Sequence, residues 1–347
     1  MSTSKFAPFT ESNQHSDSAQ TLAARFSDAG YLFFRGLLDQ KRIENVRDSI
    51  IGELKAHGFV DKNATSDPTW SGKWPETNEL SPDGVVTAGI VKLGVLEKLA
   101  VAEELIAVLE RVLGGDVFCW ADNKARIRMM LGDKKSFQVA DGPKFSFTTP
   151  GHQDYYFFRP VQFCTVWIPL MDIDASIGGL VIGQASNQEG LHEVWWKGNE
   201  YLGVAESPEQ ARQWREEGAA VVAGTVKTGN EGRAWLRSDY RIGDVLIFQP
   251  LMMHAGIPNT SDKVRLSADF RYQRQGTPTH WESHTDMADS SEYFGEVFKC
   301  LDALGVETGG VHERVWETMR LEGPSGEEDF DVSKRVKALV ERMAGSD

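Results

Sequence analysis

The spacing of hydrophobic residues predicts helices at the beginning of the chain. After a candidate N-cap at Asp39, apolar side chains recur every three or four residues up to about His57. These residues are Ile43, Val46, Ile50 and Leu54. Shorter patterns of the same kind predict helices at 19–28 and 96–113, the second of which is closed by two glycines. We therefore expect residues 19–116 to form a helical support.

From about residue 117 the pattern changes to short runs of β-forming residues separated by turn residues. Five such runs lie at 125–131, 162–170, 179–182, 244–248 and 264–272. Many short strands without intervening helices favour a β-sandwich or a closed barrel over a parallel α/β sheet. Residues 117–275 are therefore expected to form a β core, in a mainly β fold with flanking helices.

A polar, Trp-rich segment at 189–241 interrupts these strands and contains a helical pattern near 208–217. An insertion of this length is typical of a lid or a binding surface. Beyond the β core the hydrophobic spacing becomes helical again, which predicts helices at 291–304 and 332–343. The last part of the chain, 276–347, is therefore expected to be helical.

The first residues of the sequence do not have the pattern of a secretory signal. Residues 1–18 are polar and have neither the basic start nor the apolar stretch of a secretory signal. We expect them to form a flexible leader, and we expect the protein to be cytoplasmic. The remaining residues, 19–347, are expected to form a single domain.

Charge and cysteine usage narrow the classes of partner. The 347-residue chain has a net charge of −14, and an acidic surface repels phosphate backbones and anionic lipid headgroups. Its apolar runs are far shorter than the roughly 20 residues needed to span a bilayer. Three scattered cysteines favour reduced thiols over a disulfide framework or a structural zinc site. A small molecule is the expected partner, without nucleic acid or membrane, and these features do not indicate an oligomeric state.

A His-x-Asp pair in the β-rich region is a candidate for metal binding. Side chains two residues apart on a strand share a face, so His152 and Asp154 are expected to project together. With a second histidine they form the two-His-one-carboxylate set that binds Fe(II) and leaves coordination positions open. His254 is the best candidate for the third ligand, because it follows the apolar run 244–248 and a turn at Pro250.

A second histidine pair offers an alternative metal set. His280 and His284 are spaced i, i+4 around Glu282, which on a helix would place both rings on one side. Pro278 and the scarcity of helix formers favour a loop instead. The remaining histidines are interpreted as structural or solvent-exposed: His15, His57, His192 and His312.

The last predicted strand carries one polar and one apolar face. In the run 264–272, apolar side chains alternate with Arg265, Ser267 and Asp269. Such a strand in a barrel buries its apolar face against covering elements, while its polar face lines a cavity. The polar residues of this strand are therefore candidates for ligand binding.

Arg265 is the first candidate for anchoring an acidic co-substrate. Its planar guanidinium can hold a carboxylate through two hydrogen bonds, with Ser267 as a further donor, as the distal carboxylate of 2-oxoglutarate requires. A salt bridge between Arg265 and Asp262 is an equally good interpretation of the same residue. Arg271 shares the face but lies about 20 Å further along an extended strand, and it is the second choice.

Taken together, these residues resemble the phytanoyl-CoA dioxygenase family. The similarity touches most of residues 20–275 and is specific as a combined set. Its features are Asp28 to Leu37, Met130-Leu131, His152-Gln153-Asp154, Phe158-Arg159-Pro160, Cys164 to Trp167, Gly178 to Val181, and the closing His254, Asn259 and Arg265. The chain departs from the family at Gln184-Ala185-Ser186-Asn187 and in the insertion 189–241. Both departures lie toward the substrate side, so the resemblance leaves the substrate open.

This resemblance implies a double-stranded β-helix, a jelly-roll fold related to cupins. It also implies a dioxygenase that uses Fe(II), 2-oxoglutarate and O₂, with His152, Asp154 and His254 as iron ligands and Arg265 as the 2-oxoglutarate anchor. Three further positions fall where the family contacts its co-substrate: Met130, Gln153 and Trp167.

The reaction implied by the resemblance is oxidation of a small, partly apolar organic molecule, with release of succinate and CO₂. Hydroxylation, desaturation and ring closure all remain open, while related halogenases lack the carboxylate that Asp154 supplies. Two other classes of protein are considered. A non-catalytic jelly-roll binding protein would need neither Arg265 nor open metal positions, and a zinc hydrolase would turn over without 2-oxoglutarate.

Overall fold

The structure is a computed structural model. It describes residues 6–73, 75, 84–120, 127–131, 137–138, 144–145, 149, 151–158, 162–192, 194–197, 200–204, 234–277, 296–297, 299–306, 310–322 and 331–344. None of the helices in these ranges has the length and hydropathy that a membrane crossing requires.

In the described part of the chain, five helices precede the β core. They are α1 (Ala19–Ala29), α2 (Gln40–Ala56), α3 (Val85–Lys92), α4 (Val95–Ala100) and α5 (Glu103–Leu113). Of these, α1 and α2 correspond to predicted helices, and α3 was not predicted. The side chain of Asp39 caps α2 by accepting a hydrogen bond from the backbone N–H of Arg42. The four patterned apolar residues of α2 are buried in the hydrophobic core, which confirms the predicted helix.

The prediction of one continuous helix at 96–113 is wrong, because α4 and α5 replace it. The backbone leaves the helical region at Val101 and Ala102, although neither glycine nor proline marks the position. The carbonyl of Ala100 at the end of α4 accepts a hydrogen bond of 2.7 Å from the buried hydroxyl of Tyr272. A hydrogen bond from a distant strand thus satisfies a backbone carbonyl at the C-terminal end of α4. Helical periodicity alone could not reveal this contact.

We expect Tyr272→Phe to lower the free energy of unfolding by about 1–3 kcal/mol, because the buried carbonyl of Ala100 would lose its donor. Urea denaturation measures this loss. Tyr31→Phe is a matched control, because the Tyr31 hydroxyl accepts a hydrogen bond from the backbone N–H of the exposed Thr10, which can bond to water instead. An equal loss in both variants would contradict the role given to Tyr272.

Short strands form the β core. Their bounds are β1 (Glu11–Ser12), β2 (Tyr31–Phe34), β3 (Val117–Cys119), β4 (Ile127–Met130), β5 (Phe137–Gln138), β6 (Lys144–Phe145), β7 (Cys164–Pro169), β8 (Gly179–Gly183), β9 (Val194–Lys197), β10 (Glu200–Val204), β11 (Trp235–Leu236), β12 (Val245–Phe248), β13 (His254–Ile257) and β14 (Arg265–Arg274). The five predicted strands correspond to β4, β7, β8, β12 and β14.

Ten of these strands form two sheets, while β5 pairs with β6 and β9 pairs with β10 in two-stranded sheets of their own. The large sheet has the order β1-β2-β12-β7-β14-β3, with β4 also paired to β14, and the small sheet has the order β11-β8-β13. Within both sheets, all pairs except β1–β2 are antiparallel, and most join strands that are distant in sequence. This is the connectivity of a jelly roll, and the predicted double-stranded β-helix with flanking helices is confirmed.

The two faces of β14 divide the core into an apolar layer and a polar interior. One face joins the hydrophobic core through Leu266, Ala268, Phe270 and Tyr272. The other face carries five buried polar residues: Arg265, Ser267, Asp269, Arg271 and Gln273. The register with β7 places Asp269 opposite Trp167 and Arg271 opposite Thr165, so these side chains share the inner face. The predicted separation of faces is therefore confirmed.

The insertion predicted at 189–241 is too long at its C-terminal end. Strand β11 pairs with β8, and Tyr240 forms a β-bridge with Ile173, so both belong to the core. The chain between β8 and β11 includes the hairpin of β9 and β10. The helical pattern near 208–217 lies outside the described residues, as does the alternative metal set of His280 and His284.

Helices after the core cover the small sheet. A single helical turn, α6 (Tyr155–Phe158), lies within the core region, while α7 (Gly310–Glu322) and α8 (Val332–Ala344) follow it, and residues 296–297 and 299–303 are also helical. Trp316 of α7 and Val336 of α8 pack in one hydrophobic cluster with Val181 and Ala255 of the small sheet. The bounds of the predicted leader, support, core and C-terminal part stay a prediction.

Candidate active site

Two histidines from distant parts of the chain are held face to face by their backbones. The N–H of His152 donates to the carbonyl of His254 at 3.0 Å, and the N–H of His254 donates to the carbonyl of His152 at 2.9 Å. This isolated β-bridge brings the centroids of the two imidazole rings to 4.0 Å. A side chain that follows His152 by two residues can therefore reach both rings.

The local structure around His152 differs from the prediction. The His-x-Asp pair was expected on a strand, but only His152 forms a bridge, and the chain turns into α6 directly after Asp154. The N–H of Phe157 donates to the carbonyl of Asp154, which begins the helical turn. The N–H of Tyr155 donates to the carbonyl of Pro250, which fixes the turn against the chain before β13.

Asp154 presents its two carboxylate oxygens to different surroundings. Oδ1 lies 3.5 Å from Nε2 of His152 and 3.7 Å from Nε2 of His254. Oδ2 accepts hydrogen bonds from Thr165 Oγ1 at 2.6 Å and from a guanidinium nitrogen of Arg271 at 2.8 Å. The first oxygen therefore faces the imidazoles, and the second is held by the large sheet.

Electrostatics keep Asp154 and His254 in the protonation states that bind a cation. Burial would raise the pKa of Asp154, but the charge of the Arg271 guanidinium and the contact with His152 outweigh it and hold this pKa well below its usual range. Burial lowers the pKa of His254 to about 3, so its ring is neutral near pH 7. Its Nδ1 lies 2.9 Å from the carbonyl of Met252, which can only accept. The hydrogen therefore sits on Nδ1, and the lone pair of Nε2 faces Asp154.

The donor set fits a divalent metal ion. Ligand atoms of His152, Asp154 and His254 all lie within 4.8 Å of one another, and the three residues are largely buried. Two donor atoms that are each about 2.1 Å from one ion can stand at most about 4.2 Å apart, and the two distances to Oδ1 satisfy this limit. Two imidazoles and one carboxylate are the protein ligands typical of mononuclear non-haem Fe(II).

The candidate anchor for a co-substrate lies on the inner face of β14. Arg265 and Ser267 are buried there, and the Ser267 hydroxyl has no hydrogen-bond partner among the described residues. A buried hydroxyl without a partner costs about 1–3 kcal/mol, so this position suits the oxygen of a bound molecule. Trp167 is buried on the neighbouring strand, and Met130 pairs with Arg265 through the backbone.

Gln153 has a task that the sequence did not indicate. Its side-chain nitrogen donates to the carbonyls of Gly190 and Leu251, and its side-chain oxygen accepts from the N–H of His192. The side chain thus ties the beginning of the segment after β8 to the chain before β13. The predicted contact of Gln153 with a co-substrate stays a prediction, and both of its amide hydrogens are already donated.

Sequence reasoning missed Thr165, and it named Asp269 and Arg271 only as candidates for binding a ligand, not for supporting Asp154. Thr165 and Asp269 lie on the inner faces of β7 and β14, and Arg271 donates hydrogen bonds to both Asp154 and Asp269. The alternation of polar with apolar positions in β14 is the signal that could have assigned Asp269 and Arg271 to its inner face, whereas Thr165 is the one polar residue of the otherwise apolar β7 and carries no such signal. Arg271 was predicted only as an alternative anchor for 2-oxoglutarate. In the structure its guanidinium instead donates hydrogen bonds to two carboxylates.

Fold and site together define the class of jelly-roll proteins that present two histidines and a carboxylate to one point, the arrangement of non-haem iron oxygenases. Residues 26–267, more than half of the chain, match the family described as phytanoyl-CoA dioxygenase (PhyH). The chain belongs to this family. It is a non-haem Fe(II)- and 2-oxoglutarate-dependent dioxygenase.

Comparison with individual proteins gives more distant similarities. The chain is 26% identical over 280 residues to 1-deoxypentalenic acid 11-beta-hydroxylase of Streptomyces exfoliatus, covering 80% of this chain and 88% of that protein. The enzyme of the same name from Streptomyces arenae is 24% identical over 294 residues, covering 84% and 93%. Among solved structures, the epimerase SnoN in complex with Fe3+, alpha ketoglutarate and nogalamycin RO aligns with a TM-score of 0.47 at 17% identity, covering 75% and 85%. EctD from S. alaskensis aligns with a TM-score of 0.45 at 14% identity, covering 81% and 86%.

Proposed function

We propose that His152, Asp154 and His254 are the ligands of the catalytic iron in this dioxygenase. The observation that carries the proposal is the convergence of three donor atoms within 4.8 Å from segments that are about 100 residues apart in the chain. When bound, the ion supplies the activation of O₂, coupled to oxidative decarboxylation of 2-oxoglutarate to succinate and CO₂, that oxidises the substrate.

The protein side of the mechanism is orientation and charge. The hydrogen bond from His254 Nδ1 to Met252 turns the opposite nitrogen toward Asp154 Oδ1, and the bonds to Asp154 Oδ2 leave Oδ1 facing the two imidazoles. An ion held by these three residues would keep further coordination positions for co-substrate and O₂.

Arg265 and Ser267 are proposed to bind the distal carboxylate of 2-oxoglutarate. Both are buried on the inner face of β14, and the Ser267 hydroxyl is a buried donor with no described partner. A guanidinium with a neighbouring hydroxyl can give a carboxylate three hydrogen bonds in a site from which water is excluded.

The proposed substrate is a small, partly apolar molecule, and the proposed reaction is hydroxylation. The half-buried ring of Phe157 stands edge-on to the His152 ring at 6.2 Å and gives the site an apolar wall. The two hydroxylase relatives are named for an organic acid, and their name supports hydroxylation over desaturation or ring closure. The net charge of −14 disfavours a substrate that carries a polyphosphate, because like charges repel.

We expect succinate formation only when Fe(II), 2-oxoglutarate and O₂ are all present. Metal-free protein is loaded with Fe(II) under anaerobic conditions, mixed with 2-oxoglutarate and small organic acids, and then exposed to O₂ while succinate is quantified. Asp154→Ala is the control for iron chemistry in solution. Product formation without O₂ or 2-oxoglutarate would identify a hydrolase instead, and succinate no higher than in the control would contradict the assigned ligands.

A further inference from the structure

A guanidinium bridges the proposed iron ligand Asp154 and a second buried carboxylate. One terminal nitrogen of Arg271 donates to Asp154 Oδ2 at 2.8 Å, and the other donates to Asp269. The side chains of all three residues are at most 6% exposed. Thr165, which stands opposite Arg271 in the register of β7 and β14, donates to the same oxygen of Asp154.

We propose that Arg271, itself oriented by Asp269, is a positioning residue that fixes Asp154 with a single carboxylate oxygen toward the iron. This inference rests on the proposed function, because it assigns a role relative to the iron ligand Asp154. The other carboxylate oxygen is turned away by two donors and is unable to chelate the ion. One coordination position that a chelating carboxylate would occupy thus stays open for co-substrate or O₂.

The geometry suits arginine in particular. Its two terminal nitrogens diverge in a plane, so one guanidinium can hold two carboxylates in a fixed relation, which a lysine ammonium on a flexible stem does less well. The guanidinium carbon also lies 5.8 Å from the centre of the Phe158 ring. Phe158 packs with Trp120 and Phe163 in a buried aromatic cluster, which keeps water from the ion pairs and strengthens them.

Charge supplies a second argument. Arg271 places a positive charge between two buried carboxylates, Asp154 and Asp269, and so offsets part of the free-energy cost of burying them. With it, the triplet carries one net negative charge, which is available to balance the bound cation. Arg271 is thereby committed to two carboxylates, whereas Arg265 begins the same strand six residues earlier and pairs with Met130 of β4.

The test is the metal affinity of the full-length protein without 2-oxoglutarate. Co(II) is titrated anaerobically by calorimetry, and its visible absorption reports the coordination. We expect Arg271→Met to weaken Co(II) binding by about 10- to 100-fold and to change the spectrum. We expect Arg271→Lys to recover part of the loss, because a single positive charge can still hold Asp154. At saturating metal, the KM of both Arg271 variants for 2-oxoglutarate should stay within about twofold of the wild-type value, because Arg271 acts through Asp154 and does not bind the co-substrate.

A second variant tests whether a loss of Co(II) affinity in Arg271→Met comes from misfolding. Arg271→Met combined with Asp269→Asn removes one of the two buried carboxylates that Arg271 holds, and thermal unfolding of the metal-free protein checks that the variant is folded. The same loss of Co(II) affinity is expected in this folded double variant. Arg274→Met, at the exposed end of the same strand, is the matched control and should bind Co(II) as the wild type does.

The outcomes separate this inference from the proposed function. If the wild type fails to bind Co(II), or if Asp154→Ala binds it equally well, the proposed metal site itself is wrong. If the wild type binds and Asp154→Ala does not, but the double variant keeps wild-type affinity and spectrum, only the positioning role of Arg271 is overturned. A large rise in the KM for 2-oxoglutarate with unchanged Co(II) affinity would overturn it as well, by making Arg271 a co-substrate anchor.

Discussion

We expect His254→Ala to lower the rate of succinate formation by at least about 1,000-fold. Loss of a residue that only supports a metal ligand typically costs 10- to 100-fold, and removal of one of three protein ligands should exceed that effect. His254 is also buried between the Phe248 ring at 4.7 Å and the His152 ring at 4.0 Å, so no other side chain replaces its nitrogen easily. Succinate production and Co(II) titration measure the two consequences.

His57→Ala is the histidine control for this experiment. His57 lies at the C-terminal end of α2, is partly exposed, and contacts Glu53 of the same helix. Its replacement should leave activity within about twofold, as is usual for a surface substitution. Activity in His254→Ala close to that of His57→Ala would remove His254 from the metal site.

The parts of this structure that the sequence revealed are those encoded by local patterns. The apolar spacing after Asp39 gave the bounds of α2, and the alternation in β14 gave both of its faces. The three residues of the proposed ligand set could be named from the sequence because His152 and Asp154 lie close together in it and His254 follows a strongly apolar strand. Each of these signals spans a few residues and needs no knowledge of the packing.

Errors arose where tertiary contacts override local pattern. His152 and Asp154 were expected to converge because they share a strand face, but they converge through a β-bridge and a helical turn. The helix at 96–113 breaks without a sequence signal and is completed by Tyr272. Strand β11 has only two residues, too few for any periodicity, so its place beside β8 was hidden in the predicted insertion.

The place of Arg271 in the site could not be predicted from its distance to Arg265 along the strand. Its separation of about 20 Å from Arg265 along an extended strand ranked it low as a site residue. The relevant distance runs across the sheet, where the register sets Arg271 opposite Thr165 and both reach Asp154. Registers between strands that are 100 residues apart are not readable from one sequence, because they depend on the packing of both faces.

Arg265→Gln is expected to raise the KM for 2-oxoglutarate by about 30-fold or more. Removing one partner of a buried, hydrogen-bonded charge pair costs about 2–5 kcal/mol, and every 1.4 kcal/mol is a factor of ten in affinity. Glutamine keeps a polar group in the buried position, so the loss reports the charge and the paired hydrogen bonds. Succinate formation at varied 2-oxoglutarate gives the KM, and calorimetry with Co(II)-loaded protein gives the binding constant directly.

Ser267→Ala provides the graded comparison, because it removes one neutral donor from the same inner face. We expect a rise in KM of about tenfold, which corresponds to the lower end of the roughly 1.5–3 kcal/mol that a hydrogen bond to a charged group contributes. Co(II) affinity without 2-oxoglutarate should be unchanged in both variants, because the role proposed for both residues is to bind 2-oxoglutarate and not the metal. If Arg265→Gln kept wild-type affinity for 2-oxoglutarate while Arg271→Lys lost it, the two arginines of β14 would have to exchange their proposed roles.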